Sequence, residues 1–320
     1  MKKYLDRFMG KKILVIGDVM LDKYVWGRVS RISPEAPVPI VVAEKESYAP
    51  GGAANVANNV AELGGLVRVV GLVGDDSAAK VLMAELQKRS IVTDTLVTDS
   101  TKPTIQKVRI ISHNQQLIRI DYEKIDGMTE GVIKRLKSTI EANIRDVDAI
   151  IVSDYAKGVI QSEVAACILD LAKRYGKHVI VDAKPKNAQL FNGATVLLPN
   201  HNEAMLIAGV EEVNDGNLEE VGVALVNKMN SSIIITRGEK GLSIFNKNGE
   251  ITHMPTKARE VYDVTGAGDT MTAVVALALS AGASLEDAAT IGNYAAGIVV
   301  GKVGTSTVNV GEIRESLQNE

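Results

Sequence analysis

Residues 149–183 read AIIVSDYAKGVIQSEVAACILDLAKRYGKHVIVDA. Two short apolar runs, AIIVSDY and HVIVDA, flank a segment with a helical pattern. A continuous apolar run of this length suits a strand buried on both faces of a parallel sheet. Strand, helix, strand is therefore the local expectation, and it repeats in both directions. Toward the N-terminus, KILVIGD (12–18) and VRVVGLVG (67–74) read as strands, with VANNVAELGG (56–65) and DDSAAKVLMAELQKRS (75–90) as helices. Toward the C-terminus, TVLLPN (195–200), LEEVGVALVNKMN (218–230) and SIIITRG (232–238) keep the rhythm. The alternation predicts an α/β fold with a doubly wound, mostly parallel sheet.

Two segments depart from it. YVWGRVSRISPEAPVPIVVA (24–43) holds three prolines among β-branched residues, and TIQKVRIISHNQQLIRIDY (104–122) alternates apolar and polar residues. That alternation suits a half-exposed antiparallel hairpin. The two are expected to leave the main sheet and pair as a small β lid, spanning about 22–44 and 103–122 of a single domain, 1–320. The alternative is that they form edge strands of the main sheet.

Bulk composition narrows the function. The 320 residues are 46% apolar and 23% charged, with a net charge of -3 and no basic block, which gives no sign of a nucleic-acid partner. The apolar run near the N-terminus is too short for a signal peptide or a membrane span, and no later segment is long enough either. The single cysteine, Cys167, cannot form an internal disulfide and reads as core packing; a reducing, cytoplasmic setting is the expectation.

The chemistry concentrates in VYDVTGAGDT (261–270), which leads into the apolar run MTAVVALALSAG. Glycines at 266 and 268 permit a tight turn and close ligand approach. The free N–H groups at the start of the following helix make an anion site at Gly266, Ala267 and Gly268. Asp269 falls in that helix's first turn. A carboxylate beside an anion site makes sense if it accepts a proton from an alcohol attacking phosphorus. The competing reading is a simple helix cap. DVTGAGD resembles, residue for residue, the C-terminal signature of the ribokinase-like (PfkB) sugar kinases, in which the last Asp is the general base and the Gly-Ala-Gly backbone the anion hole.

Other stretches extend the resemblance over nearly the whole chain. PGGAANVANNVAELGG (50–65) is similar to the family's N-terminal signature, which implies sugar contacts from Gly51, Gly52 and Asn55; a tight strand-to-helix turn is the plainer reading. Asp22 in GDVMLD matches the acid that holds sugar hydroxyls, and Asp18 is a weaker candidate. Asn200 and Glu203 in PNHNEA resemble the family's Asn-x-x-Glu, implying ATP and a Mg²⁺ held largely through water; alone they would read as helix capping. Thr236, Gly238 and Gly241 in TRGEKG, and Asn293, match positions near the nucleotide. Asp263 and Thr265, with GTST at 304–307, resemble a monovalent-cation loop, which would take K⁺.

Within the family, SRISPEAPVP (30–39), VSDYAKG (152–158) and GKVGTSTV (301–308) look most like heptose 7-phosphate kinases, free-standing or fused to a nucleotidyltransferase. The resemblance implies ATP-dependent phosphorylation at C1 of a sugar phosphate, feeding lipopolysaccharide synthesis, and a chain without the nucleotidyltransferase domain. Arg109, Lys157 and Lys184 are candidates for the substrate's phosphate, or else solvated surface charges. The pattern associated with these kinases is Asp-Pro-Lys, whereas this chain has Asp182-Ala183-Lys184-Pro185. Projecting lid strands leave apolar faces, so a homodimer through the lid is expected. A Rossmann oxidoreductase would need Gly-x-Gly-x-x-Gly after the first strand, and VIGDVMLD has only Gly17 there.

Overall fold

The computed structural model describes residues 1–113, 115–258, 260–302 and 306–318. In chain order its strands are β1 (Lys12–Gly17), β2 (Val19–Ile32), β3 (Pro39–Gly52), β4 (Leu66–Val70), β5 (Leu72–Val73), β6 (Val97–Thr98), β7 (Gln106–Ser112), β8 (Gln115–Tyr122), β9 (Ala149–Asp154), β10 (His178–Ala183), β11 (Val196–Leu197), β12 (Ser232–Thr236), β13 (Leu242–Phe245) and β14 (Ile251–Met254).

Eight of them form one sheet in the order β14-β13-β12-β11-β10-β9-β1-β4. From β4 to β12 every neighbouring pair is parallel; β13 and β14 add an antiparallel edge. Alternation along β1 shows why its sequence is apolar throughout. Ile13 and Val15 enter one hydrophobic core, Leu14 and Ile16 the other. Side chains of a strand point to opposite faces in turn, so a sheet covered on both sides leaves no polar face.

The chain leaves β1 outward to β4 and later returns on the other side at β9, so the strand order reverses between β1 and β9. Ligands of open α/β sheets bind at the carboxyl ends of strands beside such a reversal.

The two irregular segments form a separate four-stranded sheet, β3-β2-β7-β8, rather than edges of the main one. Its central pair, β2 and β7, is parallel, and the outer pairs are antiparallel. The strands reach further than the sequence predicts. Strand β2 starts at Val19 and β3 runs on to Gly52, so the lid is rooted in the body and carries Asp22, Gly51 and Gly52 with it. Strand β8 is exposed along its length. Among the described residues no helix is long and apolar enough to cross a membrane.

Candidate active site

The site is built around the start of the helix Ala267–Ser280. Gly266 precedes that helix at φ +85°, a left-handed conformation that costs glycine little, and Asp263 Oδ1 accepts the Thr265 N–H at 2.9 Å to tighten the approach. The helix is buried from Asp269 to Leu279, which fixes its axis in the core and its first turn at the carboxyl edge of the sheet.

Asp269 does not cap this helix. Its Oδ2 accepts from Asn55 Nδ2 at 2.6 Å and its Oδ1 from the Tyr155 hydroxyl at 2.8 Å. Burial pushes its carboxyl above the usual range; the two donated hydrogen bonds oppose that rise, while the charge of Asp22 adds to it. A buried carboxylate with a raised proton affinity and no ion pair among the described residues is what a general base for a weakly acidic hydroxyl requires.

The predicted anion site is present in part. Gly266 and Gly268 line a cavity of about 300 Å³ that Asp269 also lines. The amides of Gly266 and Gly268 have no acceptor among the described residues, whereas Ala267 N–H donates to the Val264 carbonyl at 3.3 Å, and Ala267 does not line the cavity. Two of the three amides are thus available, and the third is tied, over a long bond, to its own turn.

Toward the lid, Asn55, in the first turn of the helix Ala53–Glu62, reaches Asp269 directly. Gly51 sits against Asp22: a Cβ there would lie 2.5 Å from Asp22 Oδ2. Asp22 is paired across the lid with Arg109, Nη1 to Oδ1 at 2.5 Å. Gly52 turns the chain out of β3 at φ +56°. Lys157 pairs with Glu123 at 2.6 Å. Three of the expected substrate contacts, Asp22, Arg109 and Lys157, are therefore engaged in ion pairs with one another or with a neighbour.

Asp18 departs from expectation. It is fully buried and accepts three amides, from Tyr155 at 2.9 Å, Lys157 at 3.0 Å and Val159 at 3.1 Å. Burial raises its carboxyl while those amides work against the rise. Those three bonds tie the loop after β9 to the end of β1.

Sequence reasoning missed two residues. Tyr155 donates its hydroxyl to Asp269. Lys107, on β7, lies 5.7 Å from the Tyr155 ring centroid. Burial lowers Lys107's ammonium; Asp22 opposes the shift and the like charges of Arg119, Arg109 and Lys157 reinforce it. Lys107 forms no ion pair among the described residues. The signal for it lay in the lid alternation, which puts residues 107 and 109 on one face of β7.

On the nucleotide side, the same cavity is lined by Asp182, Lys184, Asn200, Glu203 and Thr236. Asn200 and Glu203 do form a capping box: Asn200 Oδ1 accepts the Glu203 N–H and Glu203 Oε2 the Asn200 N–H, both at 3.0 Å. They also face the cavity, so the capping and ligand readings coexist. Glu203 Oε1 accepts from Lys184 Nζ at 2.5 Å. Burial pulls Lys184 down, but its bond to Glu203 and the surrounding acids outweigh this and leave it raised. Asp182 is raised to about 7 by burial and then by the nearby charges of Asp269 and Glu203.

Gly238 and Gly241 shape the turn between β12 and β13 and do not line the cavity. Asn293, on the helix Leu285–Val299, donates from Nδ2 to the Pro255 carbonyl at 2.8 Å and also stands outside it. Of the expected monovalent-cation loop, Asp263 and Thr265 are joined by the turn described above, while Gly304 and Thr305 lie outside the described residues.

The donor set suits Mg²⁺ brought in with a nucleotide. Both Glu203 oxygens already accept hydrogen bonds, so contact through water fits them better than direct coordination. No group of three or more His, Cys, Asp or Glu side chains among the described residues could hold a metal ion unaided. Asp182, Glu203 and Asp269 crowd negative charge that a divalent cation would offset.

The pfkB family carbohydrate kinase model matches residues 10–310. Curated relatives include the bifunctional protein HldE of Proteus mirabilis, 45% identical over 319 residues, and that of Psychromonas ingrahamii, 42% identical over 323 residues. The alignments cover 99% and 100% of this chain but 66% of each relative, so the chain spans just under two thirds of their length. Among solved structures, phosphofructokinase-2 from Escherichia coli, in complex with potassium, superposes with a TM-score of 0.79 at 16% identity, covering 97% of this chain and 99% of that one. Arabidopsis thaliana ribokinase, complexed with ribose and ATP, gives 0.73 at 21% identity, with coverages of 97% and 99%. These two likenesses establish a ribokinase-like fold.

Proposed function

Because the chain belongs to the pfkB family of carbohydrate kinases, we propose that it transfers the γ-phosphoryl group of ATP to the C1 hydroxyl of D-glycero-D-manno-heptose 7-phosphate, for lipopolysaccharide synthesis. The observation that carries the chemistry is Asp269: a buried carboxylate, free of any ion pair among the described residues, in one cavity with Gly266 and Gly268. Asp269 takes the proton of the C1 hydroxyl. The freed oxygen forms the new bond to phosphorus, the bond to the bridging oxygen breaks, and ADP leaves. Charge spread over the transferring group is met by the open amides of Gly266 and Gly268 and by Lys184. Glu203, through water, and the charge of Asp182 would hold Mg²⁺, which would offset the charge of the nucleotide phosphates. The potassium in the phosphofructokinase-2 structure makes K⁺ a reasonable second ion near Asp263 and Thr265.

The sugar phosphate is the finer reading. It rests on the three heptose-kinase-like segments and on relatives described as bifunctional, of which this chain matches just under two thirds. Charge around the lid supports a phosphorylated acceptor: Arg109 on β7 and Lys157 in the loop after β9 are close enough to Lys107, also on β7, to repel it, with Lys107 beside the Tyr155 ring. ATP consumption against a panel of free and phosphorylated sugars tests it, with product phosphates assigned by ³¹P NMR. The heptose 7-phosphate should react fastest and give the 1,7-bisphosphate. Faster turnover of ribose or fructose 6-phosphate would assign the chain to another sugar.

The lid's outer strand supports a homodimer. Leu117, Ile118, Ile120 and Tyr122 are all exposed on β8. Covering them with a second copy would remove apolar surface from water and pair an open strand edge.

A further inference from the structure

The loop after β9 is held more firmly than a connection needs. Asp18, from the end of β1, accepts the amides of Tyr155, Lys157 and Val159. Asp154 Oδ1 accepts the Ala156 N–H at 2.9 Å, and its Oδ2 accepts from Asn187 at 3.0 Å. Ala156 sits at φ +55°, a conformation that L residues with a Cβ adopt at a cost. Such a residue persists where its surroundings over-determine it. What this loop presents is the Tyr155 ring, which lines the cavity and ends in a hydroxyl 2.8 Å from Asp269 Oδ1.

We propose that Tyr155 is a positioning residue for the base: its hydroxyl fixes Asp269 Oδ1 while Asn55 fixes Oδ2, so the carboxylate meets the substrate hydroxyl in one orientation. This rests on the reading of Asp269 as the base. An ionised carboxylate has about four acceptor sites, so two donors leave room for the incoming hydroxyl. The phenol keeps its own proton throughout, and the substrate's proton goes to Asp269. Burial, followed by the charges of Asp269, Asp182 and Asp22, pushes Tyr155 well above the ordinary tyrosine range, so it remains a donor. The Nζ atoms of Lys107 and Lys184 stand 5.7 and 5.6 Å from its ring centroid, the first from the lid and the second from the nucleotide side. Glu203, bonded to Lys184, completes the charged groups around the pair.

Tyr155→Phe keeps the ring and both cation contacts and removes only the donor. The bond stabilises the charged form of Asp269, so its loss raises that group's proton affinity. A base works above its pKa; the acid limb of the rate profile should therefore move to higher pH, by roughly one unit. The comparison is made on kcat and kcat/KM with ATP, Mg²⁺ and heptose 7-phosphate, where titration of the substrate's own phosphate is common to both proteins and cancels. A second variant carries 3-fluorotyrosine at 155, a more acidic phenol and a stronger donor; its limb should move to lower pH. Opposite displacements in the two variants are the expected result. An unmoved limb in both, or displacement in the same direction, overturns the role of Tyr155. Should Asp269→Asn turn over normally, the base reading itself is the one that fails, whatever the two tyrosine variants do.

Discussion

Asp269 and Lys107 are the two side chains whose individual chemistry can be isolated. Both Asp269 oxygens are bonded within the protein, by Asn55 and Tyr155, and the residue is buried. Asp269→Asn preserves size and much of that bonding while removing the proton acceptor. Turnover should fall by roughly 10²–10⁴-fold, the usual span for a lost general base, with ATP affinity little changed; steady-state rates and nucleotide titration measure the two quantities. Lys107 is half-buried, with its ammonium destabilised by burial and by neighbouring cations. An anion brought among those cations relieves the strain. Lys107→Met should raise KM for a phosphorylated acceptor about tenfold or more, the value of one charge-assisted hydrogen bond. The KM for ATP should stay where it was, and equal losses for both substrates would move Lys107 out of the sugar-phosphate site.

At the scale of elements, β1, β9 and the loop between β9 and the next helix act as one unit through Asp18. Its carboxylate is the only link that reaches three amides of that loop among the described residues. Asp18→Ala leaves those donors without acceptors in a buried place. The cost should be roughly 3 kcal/mol or more, since each orphaned buried group costs about 1–3 kcal/mol, and denaturant unfolding reads it directly. A loss below about 1 kcal/mol would mean that water replaces the carboxylate there. The same contact gives Asp18 a structural role that its sequence position does not reveal. A strand-end aspartate looks alike in sequence whatever it bonds: here Asp18 ties down a loop and Asp22, four residues on, pairs with Arg109.

For the molecule as a whole, the lid is the part on which the proposed homodimer would be built. It stands as its own sheet, is joined to the body through the continuous strands β2 and β3, and leaves β8 uncovered. If β8 is the contact between two copies, Ile118→Glu should convert the dimer to a monomer in light-scattering measurements of mass. Ile118 is more than half exposed (55%), so the change should barely affect the stability of the single chain. Wild-type protein that is already monomeric at micromolar concentration would reject the lid as an interface. Any effect of dimer loss on the sugar's KM, with the ATP side unchanged, would show that association also orders the lid over the acceptor.

The sequence alone determined the doubly wound sheet, the separation of the lid, and the turn that puts Asp269 beside Gly266 and Gly268. These follow from local rules: apolar runs buried on both faces, alternation on a half-exposed sheet, and glycine before a helix start. Only the tertiary structure decided which charged groups face the cavity. Asn55 and Tyr155 meet Asp269 from 214 and 114 residues away, and Asp22 finds Arg109 across 87. Sequence spacing carries no information about such pairings, because a side chain's partner is set by strand order and by the direction in which each strand turns its residues. That is why the loop-holding bonds of Asp18 and the contacts of Tyr155 and Lys107 are not legible in sequence, and why a capping box at Asn200 and Glu203 is also a wall of the cavity.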